Sequence, residues 1–402
     1  MVSRCGGGYE GTVQDESAAL TGARAAAAAD AAFAADMYQL LAEEAADTVF
    51  SPASVASALL MALCGARGRT ATELARVLHL GGLSGPGGGP DVVASGLGLV
   101  SAWRGDGPRS VTLRAPNTVW VQAGLPLRAA FTGGLNRAAA ALADADFAAS
   151  PEAARAEINR VISAQTEGKI TGLLPSGSIT ALTRLVLASA VYLKAPWAQP
   201  FSVRATADTP FYPDGPDGRS VAVPMMRGTA ARSYLRGHGY QAVLLPYRDV
   251  ALAMAVLLPD GPLAALRPKV AAAGLGGLLA GTATHQVTLS LPRFRLEAAF
   301  DLIPALKRLG VIEAFGGHAD FGGITGAGPL QIGAVAHKAY IDVDEQGTEA
   351  AAATAVMIRT MAAMRSPPPV TVVVDRPFLF AIVDTATSLP VFLGQVSRPG
   401  PG

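Results

Sequence analysis

The C-terminal part of the chain constrains the fold more than any other stretch. Leu330 to Asp344 reads as one long strand. Val370 to Val374, Phe378 to Val383 and Val391 to Val396 read as three more, with too few residues between them for helices, so they pair antiparallel. Before these three comes Glu345-Gln346-Gly347-Thr348-Glu349-Ala350-Ala351-Ala352-Ala353-Thr354-Ala355-Val356, and no proline follows until Pro367, Pro368 and Pro369. Extended, this segment places Thr348, Ala350, Ala352, Thr354 and Val356 on a small, apolar face, with Glu349, Ala351, Ala353, Ala355 and Met357 opposite. It is a loop able to become a strand between two existing strands. Local propensity equally supports an alanine-rich helix over 348–361, capped near Gly347 or Thr348.

Helices lead and strands follow, which makes this an α+β chain ending in antiparallel sheet. The first 20 residues are polar and Gly-rich and read as a disordered tail, with residues 21–400 as one domain. Phe33, Met37, Leu40 and Leu41 stand at helical spacing within Ala25 to Glu44, and Ser51-Pro52-Ala53-Ser54 caps a helix running to about Cys64. Thr70-Ala71-Thr72-Glu73 has the form of a capping box opening a third helix. Gly81 to Pro90 is a surface loop without the Lys-Ser/Thr ending of a phosphate cradle. Val111 to Val121, Leu182 to Tyr192 and His285 to Phe294 read as strands, and Pro151 to Glu167 and Ala298 to Leu309 as helices.

Half of the 402 residues are hydrophobic, enough for a sizeable core. A net charge of +1 leaves no electrostatic footprint for nucleic acid or an anionic membrane, so a protein partner or small ligand is favoured. Cys5 and Cys64 make no disulfide framework, and Cys64 sits in an apolar run suited to a buried structural thiol. No membrane-spanning stretch occurs and the first 15 residues lack a signal-peptide core, so the chain as written reads as cytoplasmic. Cys5-Gly6-Gly7-Gly8 resembles the start of a mature bacterial lipoprotein, with Arg4 a poor preceding residue. A natural N-terminus lying further upstream would make the protein extracellular or lipid-anchored.

Signals for an enzyme are missing: no nucleophile elbow, zinc-helix pair, Cys-x-x-Cys or dinucleotide fingerprint is present. Neither a cofactor nor a metal is expected. His337 shares a strand face with Val335, Ala339, Ile341 and Val343, where a lone histidine is best read as a hydrogen-bonded core residue. Asp342, Asp344 and Glu345 read as a solvated strand end.

Several motifs in order resemble one family. They are Val49-Phe50-Ser51-Pro52-Ala53-Ser54, Gly68-Arg69-Thr70-Ala71-Thr72-Glu73, Thr166-Glu167-Gly168-Lys169-Ile170, Tyr192-Leu193-Lys194-Ala195-Pro196-Trp197, His337-Lys338-Ala339, Asp375-Arg376-Pro377-Phe378-Leu379-Phe380 and Pro390-Val391-Phe392-Leu393-Gly394. The chain resembles a serpin of inhibitory type and bacterial cast from about Ala25 to Pro399. The resemblance implies three β-sheets, eight or nine helices, an exposed reactive-centre loop over 345–369, and a monomer that traps a serine protease by inserting its cleaved loop into the central sheet.

Residue by residue, the resemblance assigns Glu345, Gly347, Thr348, Glu349, Ala350, Ala351, Ala352, Ala353 and Thr354 to the loop hinge. It assigns Trp197, Arg293 and Glu345 to the place where insertion begins, with Glu345 pairing Arg293. Ser51, Ser54, Ser189 and His337 fall in the polar cluster that controls strand parting, and Ser189 stands where relatives usually place asparagine. Counting from Glu345 puts the bait bond at Met361-Ala362, which suits elastase-, chymotrypsin- or subtilisin-like proteases. Arg359, or Arg365 before Ser366, is the rival and would suit trypsin-like proteases. A non-inhibitory member acting as carrier or chaperone would share the scaffold motifs.

Overall fold

The computed structural model describes residues 27–42, 47–80, 111–137, 140–215, 218–348 and 368–400. The expected tail over 1–20, the loop Gly81 to Pro90 and residues 349–367 lie outside them. Among the described residues there are seven α-helices: α1 over 27–41, α2 Pro52–Gly65, α3 Gly68–Val77, α4 Ala129–Arg137, α5 Pro151–Gln165, α6 Arg267–Leu279 and α7 Ile303–Arg308.

The local chemistry accounts for α2 directly. Ser51 Oγ accepts the Ser54 N–H at 3.2 Å, Pro52 occupies the first turn, and burial on nearly all sides makes it a core helix. The capping box expected at Thr70 is a correction. Helix α3 already begins at Gly68, Thr70 Oγ1 accepts from the Asp320 N–H, and Glu73 accepts from the Ile312 and Glu313 N–H groups. Residues with capping chemistry are used here to fasten distant loops. Cys64, expected to be buried, is only half-buried at the end of α2.

The strands are β1 Thr48–Phe50, β2 Thr112–Arg114, β3 Asn117–Gln122, β4 Ala141–Ala145, β5 Leu185–Pro196, β6 Ala207–Phe211, β7 Val221–Gly237, β8 Tyr240–Pro246, β9 Leu252–Pro259, β10 Ala283–Pro292, β11 Phe294–Asp301, β12 Ala334–Val343, β13 Gly347–Thr348, β14 Val370–Val373, β15 Phe378–Asp384 and β16 Pro390–Val396. The single strand expected over Val111 to Val121 is two, broken around Pro116, which has no N–H to continue the ladder. The helix expected over Ala298 to Leu309 is also corrected. Phe294 to Asp301 alternates apolar and polar residues, pairs antiparallel with β12 as a strand, and leaves only the short α7 helical.

Two hydrogen-bonded networks result. One runs β11-β12-β13-β5-β3-β4, with β2 also on β5. The other joins two sheets through the long β7: its N-terminal part pairs β6, its middle β10, and its C-terminal end β8, leading on to β9, β15, β16 and β1. These are the three sheets the motifs imply. Strand β12 separates two layers of core. Val335, Ala339, Ile341 and Val343 pack into the interior shared with the larger network, while Ala334, Ala336 and Tyr340 face α5 and the segment after it.

Candidate functional site

At the upper end of the first sheet, β5 and β12 are separated by β13. Thr348 pairs with Val343 of β12 and with Ala195 of β5, and Gly347 pairs with Pro196, both contacts on β5 being antiparallel. Lower down, β12 and β5 pair directly and in parallel, from Ala334 opposite Val186 to Tyr340 opposite Tyr192. The sheet therefore has a seam that is filled at the top and closed below. Gly347 fits because it has no side chain: a Cβ there would lie 2.1 Å from the Ala195 carbonyl oxygen and 2.6 Å from Pro196 Cα.

The turn that carries β13 into the seam is tied by its own residues. Asp344 Oδ1 accepts from the N–H groups of Gln346 at 2.7 Å and Gly347 at 3.1 Å, and the Asp344 N–H donates to the Gly347 carbonyl at 2.9 Å. Trp197 grips the turn twice, through Nε1 to the Asp344 carbonyl at 2.9 Å and through its backbone N–H to the Gln346 carbonyl at 2.8 Å.

Glu345, expected in water, is buried. Its Oε1 accepts from Arg293 at 2.9 Å and 2.6 Å and from Thr206 Oγ1, while its carbonyl accepts the Phe201 N–H. Burial pushes its pKa up, but the bonds from Arg293 and Thr206 outweigh that and hold it below the usual carboxylate range. Asp344 goes the other way: desolvation raises it, and Glu345 and Asp342 add to the rise. Thr348 is fully buried, with its hydroxyl 2.6 Å from Tyr247 Oη.

The second group lies lower on the seam, where His337 of β12 stands opposite Ser189 of β5. The Ser51 N–H donates to His337 Nε2 at 2.9 Å, so Nδ1 carries the proton and donates to Ser189 Oγ at 3.0 Å. Ser189 Oγ donates to Ser54 Oγ at 3.0 Å, and Ser54 Oγ donates to Asn117 Oδ1 at 2.8 Å. This directed chain exists only with neutral imidazole. Burial pushes the His337 pKa down to about 3, so the ring is neutral at physiological pH. Asn117, the register partner of Ser189 on β3, ends this chain as an acceptor through Oδ1.

The described residues thus bring Trp197, Arg293, Glu345, Gly347 and Thr348 together in one place and Ser51, Ser54, Ser189 and His337 in another. Glu349, Ala350, Ala351, Ala352, Ala353, Thr354, Arg359, Met361, Ala362, Arg365 and Ser366 lie outside the described residues. Sequence reading missed Tyr247, Thr206 and Asn117, since each acts through a strand far away in the chain. Among the described residues no cluster of histidine, cysteine and carboxylate side chains has the arrangement of a metal site, and no helix is long and apolar enough to cross a membrane.

A family model described as serpin (serine protease inhibitor) matches residues 28–399. The chain is a member of the serpin family. Serpins are in general protease inhibitors rather than catalytic enzymes. This serpin is similar to a serpin-like protein of Thermococcus kodakarensis, 36% identical over 376 residues that cover 92% of this chain and 85% of the relative. It is also similar to the leukocyte elastase inhibitor of Bos taurus, 34% identical over 383 residues, covering 92% and 99%. Among solved structures, Serpin48 of the insect Tenebrio molitor superposes with a TM-score of 0.81 at 28% identity, covering 93% of this chain and 98% of that one. Relatives from such sources give no support to the bacterial cast ascribed to the sequence.

Proposed function

We propose that this serpin inhibits serine proteases by trapping the acyl-enzyme, its cleaved loop entering the seam between β5 and β12 as a new strand. The observation that carries this reading is the seat of Gly347 and Thr348, which already occupy the top of that seam and pair with both strands. The protease serine attacks the bait carbonyl, the peptide bond breaks, and the loop stays joined to the protease through an ester. The hinge side is then free to pair downward from Thr348, displacing the parallel contacts of β12 with β5.

Residues from Thr348 to Met361 would form a strand on the order of 45 Å long at roughly 3.3 Å per residue, enough to carry the protease along the sheet. Of the hinge residues Glu345, Gly347, Thr348, Glu349, Ala350, Ala351, Ala352, Ala353 and Thr354, all but the two glutamates are small, and Glu345 is held by Arg293 rather than in the seam, which suits this step. Trp197, Arg293 and Glu345 hold the entrance open, and Ser51, Ser54, Ser189 and His337 hold the lower seam shut until the strand arrives. Met361-Ala362 is the bait bond of this reading, with an elastase-, chymotrypsin- or subtilisin-like target. The elastase inhibitors among its relatives support that class. Arg359 and Arg365-Ser366 are the alternatives for a trypsin-like target.

Incubation with elastase should give a complex that survives denaturing electrophoresis, and loop-cleaved protein should unfold at a higher temperature than intact protein. Cleavage without complex, together with an unchanged melting temperature, would overturn the reading.

A further inference from the structure

Tyr247 follows β8 directly and is held from several sides. Its N–H donates to the Leu252 carbonyl at 2.9 Å, the neighbouring Arg248 N–H donates to the Pro196 carbonyl at 2.9 Å, and the Ala198 N–H donates to the Pro246 carbonyl at 2.9 Å. Its ring stacks on Trp197, with centroids 4.7 Å apart and planes 15° apart. The ring is therefore fixed to the same strand end that receives β13. From this base the hydroxyl reaches Thr348 Oγ1 at 2.6 Å, in a place closed to water on both sides.

Burial raises the Tyr247 pKa well above the ordinary phenol value, so the hydroxyl keeps its proton and either oxygen can be the donor. A buried hydroxyl left without a partner is costly, and this one bond gives each of the two oxygens a partner.

We propose that Tyr247 is a positioning residue for loop insertion: its stacked phenol seats Thr348 between β5 and β12 before any protease arrives. Insertion then begins by adding rungs to an existing one. Without the seat, the loop must first open the seam and form its first rung in a single step, which is the unfavourable part of any zipper. The proposal deepens the inhibitory reading and rests on it for its purpose, while the seat itself is a property of the intact chain.

The test uses the full chain with Tyr247→Phe, Thr348→Val and the double variant. Phenylalanine keeps the stack on Trp197, and valine keeps the size and branching of threonine. Two amides report the seat without protease: Trp197 N–H, bonded to the Gln346 carbonyl, and Asp344 N–H, bonded to the Gly347 carbonyl. Their hydrogen exchange should speed up roughly fivefold in each single variant, the net worth of about one hydrogen bond, and no further in the double variant. In parallel, both single variants should consume more inhibitor per protease trapped.

Unchanged exchange in Tyr247→Phe, or single effects that multiply in the double variant, would overturn the proposal, because a merely structural tyrosine is not coupled to the Thr348 hydroxyl. If wild type traps protease and Tyr247→Phe traps it equally well with unchanged exchange, the seat is refuted while the inhibitory reading stands. If exchange responds as expected but wild type traps no protease, the seat is supported and the inhibitory reading falls.

Discussion

Replacing Thr348 with arginine sets two measurable quantities against each other. The wild-type hinge is held by the Trp197 N–H to the Gln346 carbonyl, the Asp344 N–H to the Gly347 carbonyl, and the Thr348 hydroxyl to Tyr247. At about 1 kcal/mol net for each bond, these three contribute roughly 3 kcal/mol, beside the ladder pairing of Gly347 and Thr348 with Pro196, Ala195 and Val343. A guanidinium in the fully buried position of Thr348 costs several kcal/mol unless a carboxylate pairs with it. The nearby carboxylates are engaged, Glu345 by Arg293 and Asp344 by its own turn. The burial penalty falls on residue 348 itself, so Thr348→Arg should leave the seam while the rest of the chain folds. Any route that reinserts the residue then carries that burial penalty in its barrier, and each ~1.4 kcal/mol of it slows insertion about tenfold. Acylation at the distant bait bond is unaffected, so hydrolysis outruns insertion and the variant becomes a substrate. Titration of a susceptible protease, read on denaturing gels, should show cleaved serpin in place of complex, with Thr348→Ser behaving as wild type. A folded Thr348→Arg variant that traps protease at undiminished stoichiometry would refute the hinge argument.

Acid should loosen the lower seam through His337. Its folded pKa of about 3 lies below the ordinary value near 6.5, so the unfolded chain binds a proton that the native chain refuses. The stability this contributes is complete above about pH 6.5 and is lost as the pH falls towards 3, about 2 kcal/mol being gone by pH 5. Urea midpoints at pH 7 and pH 5 should therefore differ more for wild type than for His337→Gln; equal differences would exclude the histidine as the cause. For specificity, Met361→Arg should weaken inhibition of elastase-like proteases and improve it against trypsin-like ones. If that substitution changes neither while Arg365→Ala abolishes inhibition of trypsin, the bait bond is Arg365-Ser366.

Legibility in the sequence followed the range of the interaction involved. Helix α2 announced itself because Ser51 and Pro52 act within one turn, and β15 and β16 because their apolar runs lie between short turns. The expected partnership of Glu345 with Arg293 appears as bonds of 2.9 and 2.6 Å, and it came from motif resemblance, since the two residues are far apart in the chain. Local chemistry misled where a tertiary partner took over a capping residue, as Asp320 did with Thr70. It also misled where a pairing partner overrode helical spacing, as β12 did with Ala298 to Asp301. Strands β7, β8 and β9 were not anticipated from the sequence, and with them went Tyr247, whose role depends on a ring stacked across two strand ends.

The seam is balanced between two kinds of pairing. Closed, β12 and β5 share parallel bonds from Ala334 to Tyr340, supplemented across the gap by His337 to Ser189. Beside it, Lys338 Nζ fastens β12 to the segment after α5, donating to the Thr171 carbonyl at 2.7 Å while pairing with Glu297 at 2.6 Å. An entering strand exchanges one parallel interface for two antiparallel ones, so every inserted residue adds backbone bonds on balance while the side-chain ties are lost only once. In the antiparallel register set by Thr348 opposite Val343, Lys338 and His337 would meet residues 353 and 354, so the first rungs would form before these ties have to part. A device that fills the top of the seam in advance supplies the first pairing, on which every later rung would build. This is why the hydroxyl of Tyr247, a single hydrogen bond, has leverage on insertion that the same bond lower in the sheet would lack.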